Sequence, residues 1–264
     1  MKVYKFHQFI RIEKGPINSA VIDLLKGDIF QVPNDYIEKF ENRQYEEIKD
    51  FIETLVSGKM VLNVDEKCWI PVLNLNTEKD KNEEGKQIKK ITLEIEDGVD
   101  LDIIKEKLDS ISMQIAKIWY YGKKNHDQDF RGIPIIRKEK DFEACQTVTC
   151  VKDDFLNASE IEYRLNMVYN SCWIGKIAIT SDENFRPCIY SQIVLGNLRE
   201  DSIEAIFREA KKYWMINKDK VEICRDCELK YLCFDCREIS FRLTNDLYGC
   251  NPNCNYDPYQ GTWK

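Results

Sequence analysis

Four thiols fall within thirteen residues, Cys224, Cys227, Cys233 and Cys236, in the run CRDCELKYLCFDC. The order Cys-x2-Cys-x5-Cys-x2-Cys lets several sulfurs meet at one centre. A stretch with so little regular hydrophobic pattern is ordered more readily by a metal than by burial. Cys250 and Cys254 follow, and Cys172 and Cys188 precede, so residues 171–264 hold eight of the eleven cysteines. The two histidines are His7 and His126, so sulfur would dominate the coordination of any metal.

The run admits three readings. Cysteine can pack as a small hydrophobe, four thiolates can hold a structural zinc, and successive cysteines can be shared between two iron–sulfur clusters. One zinc would use four sulfurs and leave Cys172, Cys188, Cys250 and Cys254 unexplained. Two four-iron clusters would employ them all. The x5 loop is also short for the spacer between the knuckles of a zinc ribbon. The count favours iron–sulfur over zinc.

The rest of the composition narrows the class. Hydrophobic residues make up 43% and charged residues 32%, an ordinary globular mixture. A net charge of −7 gives no general reason to hold a phosphate backbone, so nucleic acid is not an expected partner. No window approaches the ~20 apolar residues of a membrane span. The N-terminus MKVYKFHQFIRIEKG lacks the apolar region and cleavage site of a signal peptide. The expected location is cytoplasmic, where thiols stay reduced and serve metal or redox chemistry rather than disulfides.

Three regions differ in texture, and the expected class is α+β with an α/β component. In residues 1–68, strands at 19–25 and 28–32 form a hairpin around Lys26-Gly27, and Asn34 caps a short helix through Phe40. Residues 45–57 carry Ile48, Phe51, Ile52, Leu55 and Val56 at helical spacing, closed by Gly58, before a strand at 60–64. This pattern predicts a small winged-helix-like unit. Residues 69–170 hold a polar loop, a strand at 91–95, a helix carrying Leu101, Ile104, Leu108 and Ile111, and a strand at 115–121. That is a βαβ unit with parallel strands. Short segments follow at 133–136 and 148–151, and a helix near 159–169. In residues 171–264 a strand at 177–180 precedes a helix whose apolar face is Ile203, Phe207, Ala210 and Trp214, and the cysteine-rich loops follow.

The segments CWIGKIAITSDENFRPC, LGNLREDSIEAIF, CRDCELKYLCFDCR and CNYDPYQGTW resemble a SPASM domain, the auxiliary-cluster module of peptide-modifying radical SAM enzymes. The resemblance extends to the SPASM-type peptide maturases of grasp-with-SPASM systems, which work beside an ATP-grasp peptide ligase. It implies that Cys224, Cys227, Cys233 and Cys254 hold a second 4Fe-4S cluster, and that Cys172, Cys188 and Cys236 contribute to a first. Three positions depart from the pattern. Glu183 replaces a glycine, Cys233 and Cys236 are one residue closer than usual, and Asn166 and its neighbours offer no cysteine before Cys172. The first cluster would then recruit Cys145, Cys150 or Cys250, stay three-coordinate, or be absent.

The CxxxCxxC motif of a SAM-cleaving cluster does not follow the strand at 91–95, so no SAM is expected, and the middle region resembles a reduced remnant of a radical SAM barrel. The first sixty-odd residues resemble the RiPP recognition element that binds leader peptides; an equally simple reading is a structural cap. Asp226, Glu228 and Asp235 are expected to face solvent. Lys230 and Arg237 are candidates to neutralise cluster sulfurs. Lys211, Lys212, Lys218 and Lys220 read as a solvated face, and Trp119, Tyr120 and Tyr121 as strand packing. The leading expectation is a RiPP-maturation protein that binds a precursor peptide, partners an ATP-grasp ligase, and carries one or two clusters. The alternatives are a structural zinc-binding adaptor, or an enzyme using an open cluster iron without SAM.

Overall fold

The computed structural model describes residues 1–71, 73, 75, 90–109, 114–123, 130, 132–141, 159–234 and 236–264. The calls on the strand at 148–151, Ile111, His126, Cys145, Cys150 and Asp235 lie outside them. Helices and sheets mix in an α+β architecture.

The N-terminal part runs β1 (Lys2–Phe6), β2 (Ile10–Lys14), β3 (Asn18–Asp23), β4 (Asp28–Pro33), α1 (Asn34–Glu41), α2 (Lys49–Ser57) and β5 (Val61–Asp65). The β3–β4 hairpin turns at Gly27, which adopts φ 82°. Asp23 Oδ1 accepts from the Leu25 and Lys26 amides and fixes the turn. β2 adds to β3 in a three-stranded antiparallel sheet, and β5 pairs with β1.

Local details depart from the sequence reading. Residues 45–57 form a 3-10 turn, Tyr45–Ile48, that runs into α2 at a break where Ile48 has φ −129°. Gly58 keeps a right-handed backbone, and Lys59 takes the left-handed conformation at φ 57°. Asn34 makes no cap. Its side chain accepts from Ser19 Oγ and donates to the Gly15 carbonyl, which ties α1 to the sheet instead.

The second sheet is assembled from β6 (Lys90–Glu96), β7 (Gln114–Tyr121), β8 (Ile135–Lys138), β9 (Lys176–Ile179), β10 (Asn184–Arg186) and β11 (Gly196–Asn197), in the order β11-β10-β9-β6-β7-β8. β6 through β9 are mutually parallel, with α3 (Leu101–Asp109) crossing between β6 and β7, and β10 and β11 are antiparallel. β9 lies directly against β6, so a single sheet spans residue 170. Alternation along the strands sends side chains to opposite faces. One face carries Leu93, Ile95, Ile118, Ile177 and Ile179 into a core with Ile104 and Leu108 of α3, and Phe207 and Trp214 of α5 (Ile203–Trp214). Glu94 and Lys176 sit at intervening positions. Ser202 caps α5 by accepting from the Ala205 amide. Trp214 Nε1 donates to the Lys176 carbonyl at 3.1 Å. The helix α4 (Glu160–Asn166) precedes β9, and α6 (Arg237–Thr244) and a short pair, β12 (Tyr256–Asp257) with β13 (Thr262–Trp263), follow α5.

Both ends of the chain meet around Glu228. Its carboxylate is fully buried; Oε1 accepts from Gln31 Nε2 of β4 at 2.8 Å and from the Tyr256 hydroxyl. Trp263 Nε1 donates to Gln31 Oε1, and Asn18 Nδ2 donates to the Gly261 carbonyl and the Tyr256 hydroxyl. Apolar residues close the joint, with Ala20, Ile22 and Leu24 packed on Leu229, Cys233 and Tyr256. Glu228 Oε2 lies against Gly15, where a Cβ would come within 2.3 Å of it and 3.0 Å of the Asn18 carbonyl oxygen. Gly15→Ala is expected to destabilise the protein by roughly 1–3 kcal/mol through overpacking. Denaturant unfolding measures this, and Gly132→Ala, where a Cβ meets nothing within 4 Å but φ is 76°, reports the separate cost of backbone strain.

Candidate metal centre

The nine described cysteines are all free thiols, and eight of them fall into two groups, with Cys68 exposed and apart. Cys224 opens a 3-10 turn, Cys224–Asp226, entered through Ile223 at φ 63°. A β-branched residue in that conformation costs energy and persists only when its surroundings enforce it. Here it aims the first thiol inward. Cys224, Cys227, Cys233, Cys250 and Cys254 line one pocket, partly open to solvent, together with Lys218, Leu229, Lys230, Tyr256 and Trp263. Cys224 Sγ lies 3.7 Å from Cys250 Sγ, and Cys254 also hydrogen-bonds with Cys250. Cys254, placed with the second cluster by the sequence reading, and Cys250, read there as a recruit for the first, reach the same pocket, so Cys250 stands apart from Cys172, Cys188 and Cys236.

Electrostatics oppose charge on two of these thiols, Cys227 and Cys250. Burial pushes the Cys227 thiol up, and Glu228, Cys233 and Cys224 push it further, against the Leu229 amide donating at 3.4 Å. Cys250 is raised by its hydrogen bonds with Cys224 and Cys254, and by burial. A coordinated metal reverses this, since it deprotonates thiols outright. The donor set fits iron–sulfur coordination, which uses thiolates alone. Among the described residues, no three Cys, His, Asp or Glu side chains converge to hold a single metal ion. The sulfurs surround a cavity rather than a point.

The second group is smaller. Asn170 Oδ1 accepts from the Cys172 and Trp173 amides and fixes the turn into β9. Cys236, at the start of α6, hydrogen-bonds with Cys172, and Cys188 stands within electrostatic reach of Cys172. The run CRDCELKYLCFDC is thus divided, with Cys233 in one group and Cys236 in the other. No described cysteine supplies a fourth thiol here. Asn166, at the position where the SPASM pattern has a cysteine, donates to the Tyr231 carbonyl. Two charged groups join the three thiols, the buried Glu94 and the half-buried Lys176. Lys176 Nζ lies 4.0 Å from Cys172 Sγ and 3.8 Å from Glu94 Oε1, and Glu94 Oε2 accepts from the Ile189 amide at 2.6 Å. Burial works to lower the pKa of Lys176, but Cys172, Glu94, Cys188 and Cys236 outweigh it and raise it.

Several side chains differ from their sequence reading. Glu228 was expected in solvent and is fully buried, because Gln31 and Tyr256 satisfy Oε1. Asp226 is half-buried and accepts from the Tyr259 hydroxyl. Arg237 donates to the Leu247 and Gly249 carbonyls and to Ser240 Oγ, bracing the loop before Cys250. Lys230 lines the thiol pocket, but its ammonium pairs with Asp219 at 3.0 Å and the Arg225 carbonyl. Lys218 was read as part of a solvated face and is 5% exposed, with Nζ 3.8 Å from Cys224 Sγ. Its neighbours Asp219 and Lys220 gave it the appearance of surface, and no local pattern marks it as inward. Trp119, Tyr120 and Tyr121 pack on β7 as read.

Comparison with known proteins places this geometry. Residues 172–228 match the model of the SPASM family, an iron–sulfur cluster-binding domain. A 75-residue stretch is 32% identical to the AdoMet-dependent heme synthase of Methanosarcina barkeri (strain Fusaro / DSM 804), covering 27% of this chain and 21% of that protein. The chain thus matches about a fifth of that relative's length. No helix among the described residues is long and apolar enough to cross a membrane. Residues 172–228, which carry Cys172, Cys188, Cys224 and Cys227, are thus similar to a SPASM iron–sulfur cluster-binding domain.

Proposed function

We propose that this chain is a maturation protein for ribosomally made peptides. In this reading it binds a precursor peptide, carries one or two auxiliary-type 4Fe-4S clusters, and acts with a partner modifying enzyme such as an ATP-grasp ligase. The observation that carries the reading is the joint between the N-terminal sheet and the thiol loop. The hydrogen bonds of Gln31 and Tyr256 to Glu228 set β4 one residue from Cys227. Residues 1–68 are read as a winged-helix-like, leader-binding unit, residues 69–170 as a reduced radical-SAM-like α/β region, and residues 171–264 as the cluster module.

Chemistry follows from the placement. Cys224, Cys227 and Cys233, with Cys254 or Cys250, would hold a cluster in the five-thiol pocket, and Cys172, Cys188 and Cys236 would contribute to another. A bound cluster supplies electron transfer, or a Lewis-acidic iron where a ligand is missing. An extended peptide added to a sheet edge by main-chain hydrogen bonds would lie on the same body as the sulfurs. The chain contains no CxxxCxxC, so a SAM-derived radical is not assigned to it. The AdoMet dependence named for the heme synthase stays with that protein.

Protein purified without oxygen is expected to be brown, with a broad band near ~400 nm and about four iron and four sulfide per filled site. Cys227→Ser should lose the iron of the five-thiol pocket, while Cys68→Ser keeps it. A colourless, zinc-loaded protein would overturn the reading. A fluorescently labelled precursor peptide should bind the loaded protein, and deleting its leader segment should weaken binding at least tenfold, about 1.4 kcal/mol. Equal binding of the leaderless peptide would remove the leader-binding role of residues 1–68 and leave the cluster assignment standing.

A further inference from the structure

Each thiol group contains a lysine whose ammonium lies within 4.0 Å of a sulfur, and one of the two is buried. In the three-thiol group this is Lys176, at 4.0 Å from Cys172 Sγ. In the five-thiol pocket it is Lys218, at 3.8 Å from Cys224 Sγ and 5% exposed. The two lysines arrive differently. Lys176 comes from strand β9 and shares its charge with Glu94. Lys218 opens the 3-10 turn Lys218–Lys220, and its side chain lines the same pocket as the five thiols. Residues around it hold the turn in place. Asn217 Nδ2 donates to the Met167 carbonyl at 2.6 Å, and Lys220 Nζ donates to the Met215 carbonyl. Asp219 faces Tyr231 and Lys230. The ammonium of Lys218 lies beside the Cys224 sulfur.

Burying a lysine side chain is costly unless something anionic receives the charge. Thiolates bound to iron are anionic, and the cluster gains further negative charge when it takes up an electron. A cation fixed beside one sulfur therefore stabilises the reduced form more than the oxidised form. The N–H···S hydrogen bond acts in the same direction, because reduction potential follows net charge and hydrogen bonds to the sulfurs. We propose that Lys218 is the positioning residue that sets the reduction potential of the cluster in the five-thiol pocket. The role rests on the proposed occupancy of that pocket by an iron–sulfur cluster.

Three variants test it: Lys218→Arg, Lys218→Gln and Lys218→Met. Each is loaded anaerobically, assayed for iron and sulfide, and titrated with dithionite while the reduced cluster is followed by electron paramagnetic resonance. Lys176→Met serves as the control for the other thiol group. Lys218→Gln and Lys218→Met should shift the potential of one cluster to more negative values, by roughly tenfold in the reduced-to-oxidised ratio, or about 59 mV for one electron. Lys218→Arg should stay near wild type, and Lys176→Met should leave that cluster unmoved. Loss of iron in the two neutral variants with retention in Lys218→Arg also supports a charge requirement. Equal potentials in all three variants overturn the proposal, as does loss of iron in all three, which marks Lys218 as packing alone. Wild-type protein that binds no iron fails the cluster reading itself, a result separate from every outcome among the variants.

Discussion

Five thiols crowded into one pocket are the constraint around which the C-terminal third is arranged. Cys224, Cys227, Cys233, Cys250 and Cys254 share it, and the Cys227 and Cys250 thiols are pushed up by burial and by the thiols beside them. Loops that carry them have little regular apolar pattern, so their backbone depends on specific ties. Arg237 holds the carbonyls of Leu247 and Gly249, Asn170 holds the turn at Cys172, and Ile223 is kept at a positive φ by the Cys224 amide donating to the Glu222 carbonyl. Such ties are many for so short a stretch. They converge on the sulfurs, which is the arrangement expected where the missing stabilisation comes from metal–thiolate bonds.

Glu228 extends this dependence to the other end of the chain. A buried carboxylate needs donors, and those it has come from β4 and from the tail after Cys254. Oε2 has no hydrogen-bond partner among the described residues and rests on Gly15. The carboxylate is adjacent in sequence to Cys227 and adds to the electrostatic pressure on that thiol. A shift of the N-terminal sheet would alter its solvation, and with it the field at the thiol pocket.

Local spacing made part of this legible. The two CxxC pairs are short-range signals, and the SPASM pattern separated Cys233 from Cys236 before any geometry was known. The βαβ unit was readable because Leu101, Ile104 and Leu108 recur at helical spacing between two apolar strands. What escaped notice depends on contacts far apart in the chain. The pairing of β1 with β5 joins residues about sixty positions apart, and the strand pattern of Lys2–Phe6 is weak without its partner. β9 looked like the start of the cysteine-rich region, yet it completes the sheet by lying parallel to β6. Glu228 and Lys218 sit among charged neighbours, and only the folded surroundings turn them inward. A charged residue beside other charged residues carries no sequence signal of burial.

The division of the thiol run has its own consequence. Three peptide links separate Cys233 from Cys236, so their Cα atoms are at most about 11 Å apart. The two sulfur groups are therefore neighbours by covalent necessity, whatever the rest of the chain does. In the proposed reading, an electron delivered to one group would find the other close by. Lys218 is buried beside Cys224 of the five-thiol pocket, and Lys176 lies 4.0 Å from Cys172 Sγ and 3.8 Å from Glu94 Oε1 in the other group. Positive charge near sulfur favours reduction. With a cluster in each group, the Glu94 carboxylate would weaken the pull of Lys176 on an added electron.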